Sequence, residues 1–222
     1  MTFVANGTRL DPTPVAGETV QRRRVTALSV DVVGSMSLCS SMSIESWWTV
    51  IERVFTIVSE GVERFGGWVE NFAGDGGVAV FASGNSQAEQ AIGACAAALW
   101  LRDTIDRYGA EFRRHRGFDL SVRIGVNSGD AVIGALVAPP HPRVAAIGHA
   151  VGMAKRIETL AAPGAVYLSE STAALVQDAF ELFALGTFEV RDAGAPLALF
   201  ELVAPAAADA RAEPLSLVAA AA

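Results

Sequence analysis

The stretch Val69–Phe81, VENFAGDGGVAVF, constrains the fold more than any other part of the chain. It reads as strand, tight turn, strand. Val69 and Phe72 lie on the first arm, Val78, Val80 and Phe81 on the second, and Gly74-Asp75-Gly76 forms the turn. Asp-Gly between two apolar runs marks a hairpin, because glycine takes positive φ without a steric cost. One carboxylate, Asp75, is therefore held at a stiff tip. An acid so placed is a turn former or a metal ligand, and this stretch alone leaves both open.

A chain of 222 residues is long enough for one domain with a full core. It is 51% hydrophobic. Charges interrupt the apolar residues, however, and no run reaches the roughly 20 residues of a membrane span. Met1–Asp11 lacks a basic segment followed by an apolar block, so no signal peptide is expected. Cys39 and Cys95 make no metal pattern and suit reduced thiols in the cytoplasm. A net charge of −7 argues against nucleic acid as a partner, since phosphate-backbone binding calls for a basic face.

Residues 1–21 show no periodicity and read as a flexible arm, 22–203 as one catalytic-size domain, and 204–222 as an Ala-rich tail. Arg22-Arg23-Arg24 is a solvated charge run or a site for something acidic. Val25–Val33 is a β-branched strand. Asp31 stands inside its apolar run and requires a cation, a partner or backbone amides. Gly34-Ser35 follows and leads into a helix, an arrangement that can hold anionic oxygens on backbone N–H groups. Ile44–Phe65 has apolar residues at helical spacing, including Trp48, with the Trp47-Trp48 pair as packing surface. A second helix spans Ser86–Tyr108. Leu120–Val126 and Ala131–Val137 read as strands joined by a second hairpin at Asn127-Ser128-Gly129-Asp130. Arg123 lies in the first of these strands, where an arginine needs a carboxylate or phosphate. Pro139–Pro142 is a loop. Gly148–Leu160 is a helix with Lys155, Arg156 and Glu158 on its polar side. Val166–Leu168 is a strand, Ser169–Val176 a helix, and Phe188–Arg191 with Leu197–Val203 a closing antiparallel pair. This order describes an α+β sandwich, a ferredoxin-like mixed sheet with helices packed on it.

The segments VDVVGSMSL, FGGWVENFAGDG, VRIGVNSGDAVIG, GHAVGMAKRIETLAAPG and GTFEVRD follow the order and spacing of class III nucleotidyl cyclase catalytic domains. The chain resembles that family from about Val25 to Val203. The resemblance implies attack of a ribose 3′-hydroxyl on the α-phosphate of a nucleoside triphosphate, with pyrophosphate leaving. It implies two divalent cations, Mg2+ or Mn2+, bound by Asp31 and Asp75 with the carbonyl of Val32. Gly34, Ser35 and Met36 match the phosphate-holding turn, and Arg123 the phosphate-binding arginine. Sites shared across a head-to-tail homodimer are implied too, with Arg156 supplied by the partner to stabilise transition-state charge. Arg191 stands where the family usually has a triphosphate-binding lysine.

Departures from the family pattern fall on the base and ribose side. Asn71 and Ala145 replace the two residues that select a purine, Gly152 the ribose-positioning asparagine, and His149 an acidic or amide residue. Asn71 offers both a donor and an acceptor, which suits several bases. The chain in this respect resembles the pyrimidine cyclases of bacterial phage defence (Pycsar type). That implies a cytoplasmic enzyme making cyclic UMP or cyclic CMP for a downstream cyclic-nucleotide-binding effector. An atypical adenylate cyclase and a catalytically silent cyclase-like regulatory domain are the alternatives.

Overall fold

A computed structural model of the chain describes residues 3–5, 8–10, 20–84, 86–136, 143–191 and 193–206. The Pro139–Pro142 loop and the tail beyond residue 206 lie outside them. Within the segment read as an arm, β1 (Phe3–Ala5) pairs antiparallel with β2 (Thr8–Leu10).

The long first strand of the main sheet, β3 (Gln21–Val32), buries every residue from Val25 to Val30. Its period-two alternation gives it two different faces. Leu28, Val30 and Val32 join the large core beneath two helices. One is α2 (Ile44–Arg64) and the other α3 (Gln87–Arg116). Both start with a serine cap: Ser43 accepts from the Ser46 amide and Ser86 from the Glu89 amide. The helix α3 continues past Tyr108 through Gly109, where a Cβ would collide with the Leu120 carbonyl oxygen, and ends at Gly117 in a left-handed conformation. On α2, Val50, Val54, Ile57, Val58 and Val62 face the core. Trp47 packs against it, but Trp48, expected in the apolar stripe, is 70% exposed.

The predicted hairpin forms as β4 (Trp68–Ala73) and β5 (Gly76–Phe81). Beyond α3 comes β6 (Val122–Leu136), then β7 (Arg143–Ile147) and the helix α4 (His149–Leu160). After them follow β8 (Val166–Ser169), α5 (Glu170–Val176), β9 (Phe180–Phe188) and β10 (Leu197–Pro205). A six-residue helix, α1 (Ser35–Ser40), precedes α2. The spatial order is β4-β5-β3-β6-β8-β10-β9, with β7 also on β6. The unit β3-α2-β4-β5-α3-β6 thus has the ferredoxin-like strand order. The parallel β6–β8 pairing makes the sheet mixed, as the sequence predicts.

The sheet differs from the sequence reading at three points. The second hairpin does not exist. Residues 122–136 form one strand, paired with β3 without interruption from Gln21↔Ile133 to Val32↔Val122. The turn-type residues are absorbed because their polar groups find partners. Asn127 Nδ2 donates to the Ala150 carbonyl at 3.0 Å, Ser128 Oγ lies 2.8 Å from Thr26 Oγ1, and Asp130 pairs with Arg22. Second, β7 carries no turn or strand signal in the sequence strong enough to announce it, and it forms by pairing with the free half of β6. Third, the penultimate strand is Phe180–Phe188, so Glu189–Arg191 lie past its end.

The helix α4 lies on the sheet face opposite α2 and α3. It crosses β6 at Gly125, where a Cβ would collide with the Glu158 amide nitrogen and the Ala154 carbonyl oxygen. Backbone cannot yield as a side chain does. The variant Gly125→Ala is therefore expected to lower stability by about 3 kcal/mol or more in urea unfolding. A loss under about 1 kcal/mol would show that α4 is free to ride up on the sheet.

Candidate active site

The ladder fixes Asp31 from both sides. Across β5 it faces Gly76, and across β6 it faces Arg123. Asp75 precedes Gly76 in the β4–β5 turn, whose first residue, Gly74, has φ 65°. A Cβ on Gly76 would sit 2.7 Å from the Val30 carbonyl oxygen and 2.8 Å from Asp31 Oδ1. Glycine there lets the Asp75 turn close over Asp31, and the two acids share one end of the sheet. Next to them β3 ends at buried Val32, and Gly34 turns the chain into α1 with φ 65°. Ser35 and Met36 open that helix, Met36 with its side chain exposed.

On the odd-numbered face of β3 and β6, under α4, lies a nest of charges. Arg123 Nη2 donates to Asp31 Oδ2 at 2.7 Å and Nε to the same oxygen at 3.2 Å. Lys155 Nζ is 2.5 Å from Glu158 Oε2 and 3.5 Å from Asp31 Oδ1. Ser29 Oγ donates to Glu158 Oε2 at 3.2 Å. Arg123 Nε also lies 2.9 Å from Glu158 Oε1, but its N–H is directed at Asp31, so Oε1 gains Coulombic attraction without a hydrogen bond. Two carboxylates and two cations cancel. Exposure is graded across the nest: Glu158 0%, Asp31 13%, Arg123 31% and Lys155 49% of the side chain. Burial pushes the Glu158 carboxyl up, and the Lys155 hydrogen bond only partly opposes it. For Arg123, burial pulls down, but the hydrogen bond to Asp31 and the charges of Glu158 and Asp31 outweigh it and the pKa rises. Lys155 behaves likewise: burial pulls it down, and the Glu158 hydrogen bond leads the terms that raise it.

Glu158, expected on the polar side of α4, is thus fully buried. Neither it nor Lys155 was among the site residues expected from sequence. A signal was available: Val151, Ala154 and Glu158 fall at i, i+3, i+7, which puts Glu158 on the inward face.

Other expected site residues sit on other elements. Asn71 is on β4 opposite Val78, just past a register shift between Val69 and Asn71. Such a bulge re-aims the side chains around it. Ala145 is buried on β7 opposite Gly134. His149 and Gly152 lie in the first turn of α4, and Arg156 Nη1 donates to the Gly152 carbonyl at 3.1 Å. Its guanidinium covers the place a side chain at 152 would start, 3.1 Å from the missing Cβ. Arg191 is exposed in the β9–β10 connection.

The donor set at Asp31 and Asp75 suits a hard divalent cation: two carboxylates, a nearby backbone carbonyl and the cradle at Gly76. Among the described residues no group of three or more His, Cys, Asp or Glu side chains could hold a metal. A cation here would complete its shell with backbone, water or substrate oxygens, the usual manner of Mg2+ at phosphates.

The profile of the family described as "Adenylate and Guanylate cyclase catalytic domain" matches residues 18–202. The chain belongs to this family. Adenylate cyclase 1 of Rhizobium meliloti is 24% identical over 189 residues, covering 84% of this chain and 28% of that protein. An uncharacterized protein of the same organism is 30% identical over 176 residues, 79% of this chain and 17% of that protein. The chain thus spans less than a third of these two relatives. Among solved structures, the adenylyl cyclase CyaB from P. aeruginosa superposes with a TM-score of 0.80 at 22% identity. That match covers 84% of this chain and 96% of the other. The guanylate cyclase domain of RhGC from Catenaria anguillulae, in complex with GTP, gives 0.74 at 21% identity, over 84% and 100% of the two chains. The cyclase-domain α+β fold expected from the five motifs is borne out. No helix among the described residues is long and apolar enough to cross a membrane.

The charge nest carries a stability prediction. Removing a buried carboxylate that compensates two cations costs about 3–5 kcal/mol when the cations are also buried. Arg123 and Lys155 are partly exposed and can rehydrate, so Glu158→Ala is expected to cost less, about 1–3 kcal/mol by chemical denaturation. A neutral result would mean that the buried carboxylate holds nothing together.

Proposed function

We propose that this cyclase domain converts a ribonucleoside triphosphate to its 3′,5′-cyclic monophosphate and pyrophosphate. The observation that carries this reading is that Asp31 faces Gly76, the residue next to Asp75 in the β4–β5 turn, beside the Gly34 turn. Bound at that pair and the Val32 carbonyl, two Mg2+ or Mn2+ ions would supply charge neutralisation of the phosphates and a more acidic 3′-hydroxyl. The amides of Gly34, Ser35 and Met36 receive phosphate oxygens. Arg123 orients Asp31 through its two hydrogen bonds and presents its remaining donors toward the triphosphate. The 3′-oxygen forms the new bond to the α-phosphorus, the bond to the bridging oxygen of the β-phosphate breaks, and pyrophosphate leaves. Each single variant, Asp31→Ala or Asp75→Ala, is expected to lower metal-dependent turnover by at least about 10³-fold. Near-full turnover in either variant would remove that residue from the metal site.

The working unit in this reading is a homodimer with shared sites. Asp31 and Asp75 lie on β3 and the β4–β5 turn, whereas Ala145, Gly152 and Arg156 lie on β7 and α4, and Arg191 beyond β9. The partner's copy of this second set completes each site, with Arg156 stabilising transition-state charge and Arg191 binding the triphosphate. Mixing inactive Asp75→Ala with inactive Arg156→Ala should restore part of the activity, since one composite site then carries no lesion. Demonstrated heterodimers with no recovery would contradict the shared site.

Base choice leans to a pyrimidine. Ala145 is buried and has no side-chain hydrogen-bonding group, so edge reading falls to Asn71, backbone or water. A site without matched polar groups rejects wrong bases poorly. UTP or CTP should be turned over at least as well as GTP, with ATP the chief rival, in a four-way competition with products identified by mass. Exclusive use of GTP would overturn this, and exclusive use of ATP would make the chain an atypical adenylate cyclase. A pyrimidine product would fit a cytoplasmic signal in antiphage defence, received by a cyclic-nucleotide-binding effector. The folding of Arg156 back onto Gly152 favours one other reading, a silent cyclase-like regulatory domain. No turnover of any triphosphate with Mn2+ would select it.

A further inference from the structure

The proposed reaction gives Lys155 no task, yet its ammonium stands at the most sensitive point of the site. The two oxygens of Asp31 are divided. Oδ2 is taken by both Arg123 donors. Oδ1 is the oxygen beside the Gly76 cradle, on the side of the Asp75 turn, and it is the one Lys155 leans on at 3.5 Å. Lys155 is anchored more tightly elsewhere, 2.5 Å from Glu158 Oε2. Glu158 is fully buried and fixed by Ser29, whereas Lys155 is about half exposed on a flexible stem. The ammonium can therefore give up Oδ1 and keep Glu158.

We infer that Lys155 is a built-in counter-cation for Asp31 that competes with divalent metal for Oδ1. In the metal-free protein it neutralises a largely buried carboxylate that would otherwise carry one cationic partner. Against a bare divalent ion it is a like charge a few ångströms away, so free metal binds weakly. A nucleotide that arrives with its own negative charge offsets that repulsion, and the site loads with metal and triphosphate together. The inference rests on the reading of Asp31 and Asp75 as cation-holding acids.

The test is Mn2+ binding to the full chain without nucleotide, read by the loss of the free-ion electron paramagnetic resonance signal. Lys155→Gln keeps a donor toward Glu158 and removes the charge; Lys155→Met removes both. Each is expected to bind Mn2+ about tenfold more tightly than the unmodified chain, because a like charge close to the site is gone. Lys155→Arg keeps the charge and should bind like the unmodified chain. Asp31→Asn should lose the binding. If Asp31→Asn loses it but Lys155→Gln and Lys155→Met bind no tighter than the unmodified chain, the inference is overturned and the metal reading stands. If the unmodified chain and Asp31→Asn bind alike, or neither binds, the metal reading fails and the inference goes with it.

Discussion

Asp31 is a carboxylate in the interior of a sheet, and its pairing with Arg123 across the β3–β6 ladder is what the neighbouring elements are arranged to keep. An isolated acid so placed would be expensive to desolvate. Arg123 answers it with two hydrogen bonds to one oxygen, and a charge-assisted pair of this kind is about twice as strong as a neutral one. Arg123 is itself drawn toward Glu158, and Glu158 holds Lys155. Electroneutrality thus extends from the sheet into α4. The most buried member, Glu158, is the furthest from solvent exchange and the least free to move. The most exposed, Lys155, has a flexible stem open to solvent. This gradient leaves one oxygen of Asp31 negotiable while the rest of the nest is fixed.

Two close approaches make that geometry attainable. Without a side chain at Gly125, α4 drops onto β6 far enough for Glu158 to reach Arg123 and Ser29. Without one at Gly76, the β4–β5 turn that carries Asp75 packs directly against β3 at Val30 and Asp31. In each case the nearest neighbour is backbone, so a rotamer change alone cannot make room. Glycine serves here through its missing Cβ, whereas at Gly74 and Gly34 it serves through positive φ.

Much of this was legible in the sequence wherever the signal is local. The Gly74-Asp75-Gly76 turn, the capped helix beginning at Ile44 and the strand around Asp31 each depend on residues within one or two turns of themselves. The need of Arg123 for an anion was legible too, and the structure supplies two carboxylates. What was not legible depends on partners far along the chain. Asn127-Ser128-Gly129-Asp130 has the chemistry of a turn. It stays extended because Thr26, 102 residues away, and Ala150 satisfy its polar groups. The strand β7 exists because half of β6 is left unpaired by β8. Glu158 was read as a surface residue on the strength of its charge, although helical period placed it inward; its burial becomes tolerable only once Arg123 and Lys155 are seen beside it.

Adenylyl and guanylyl cyclase structures share this fold at similar identity, so the fold by itself leaves the base open, and the claim of catalysis stands on the Asp31–Asp75 end of the sheet. Anomalous diffraction from crystals grown with Mn2+ and a 3′-deoxynucleoside triphosphate, which lacks the attacking hydroxyl, tests that claim most directly. The account predicts manganese peaks bonded to Asp31 and Asp75 and to the triphosphate oxygens, with Arg156 of a second protomer reaching the α-phosphate. Manganese bound elsewhere, with Lys155 still on Asp31 Oδ1, would contradict it.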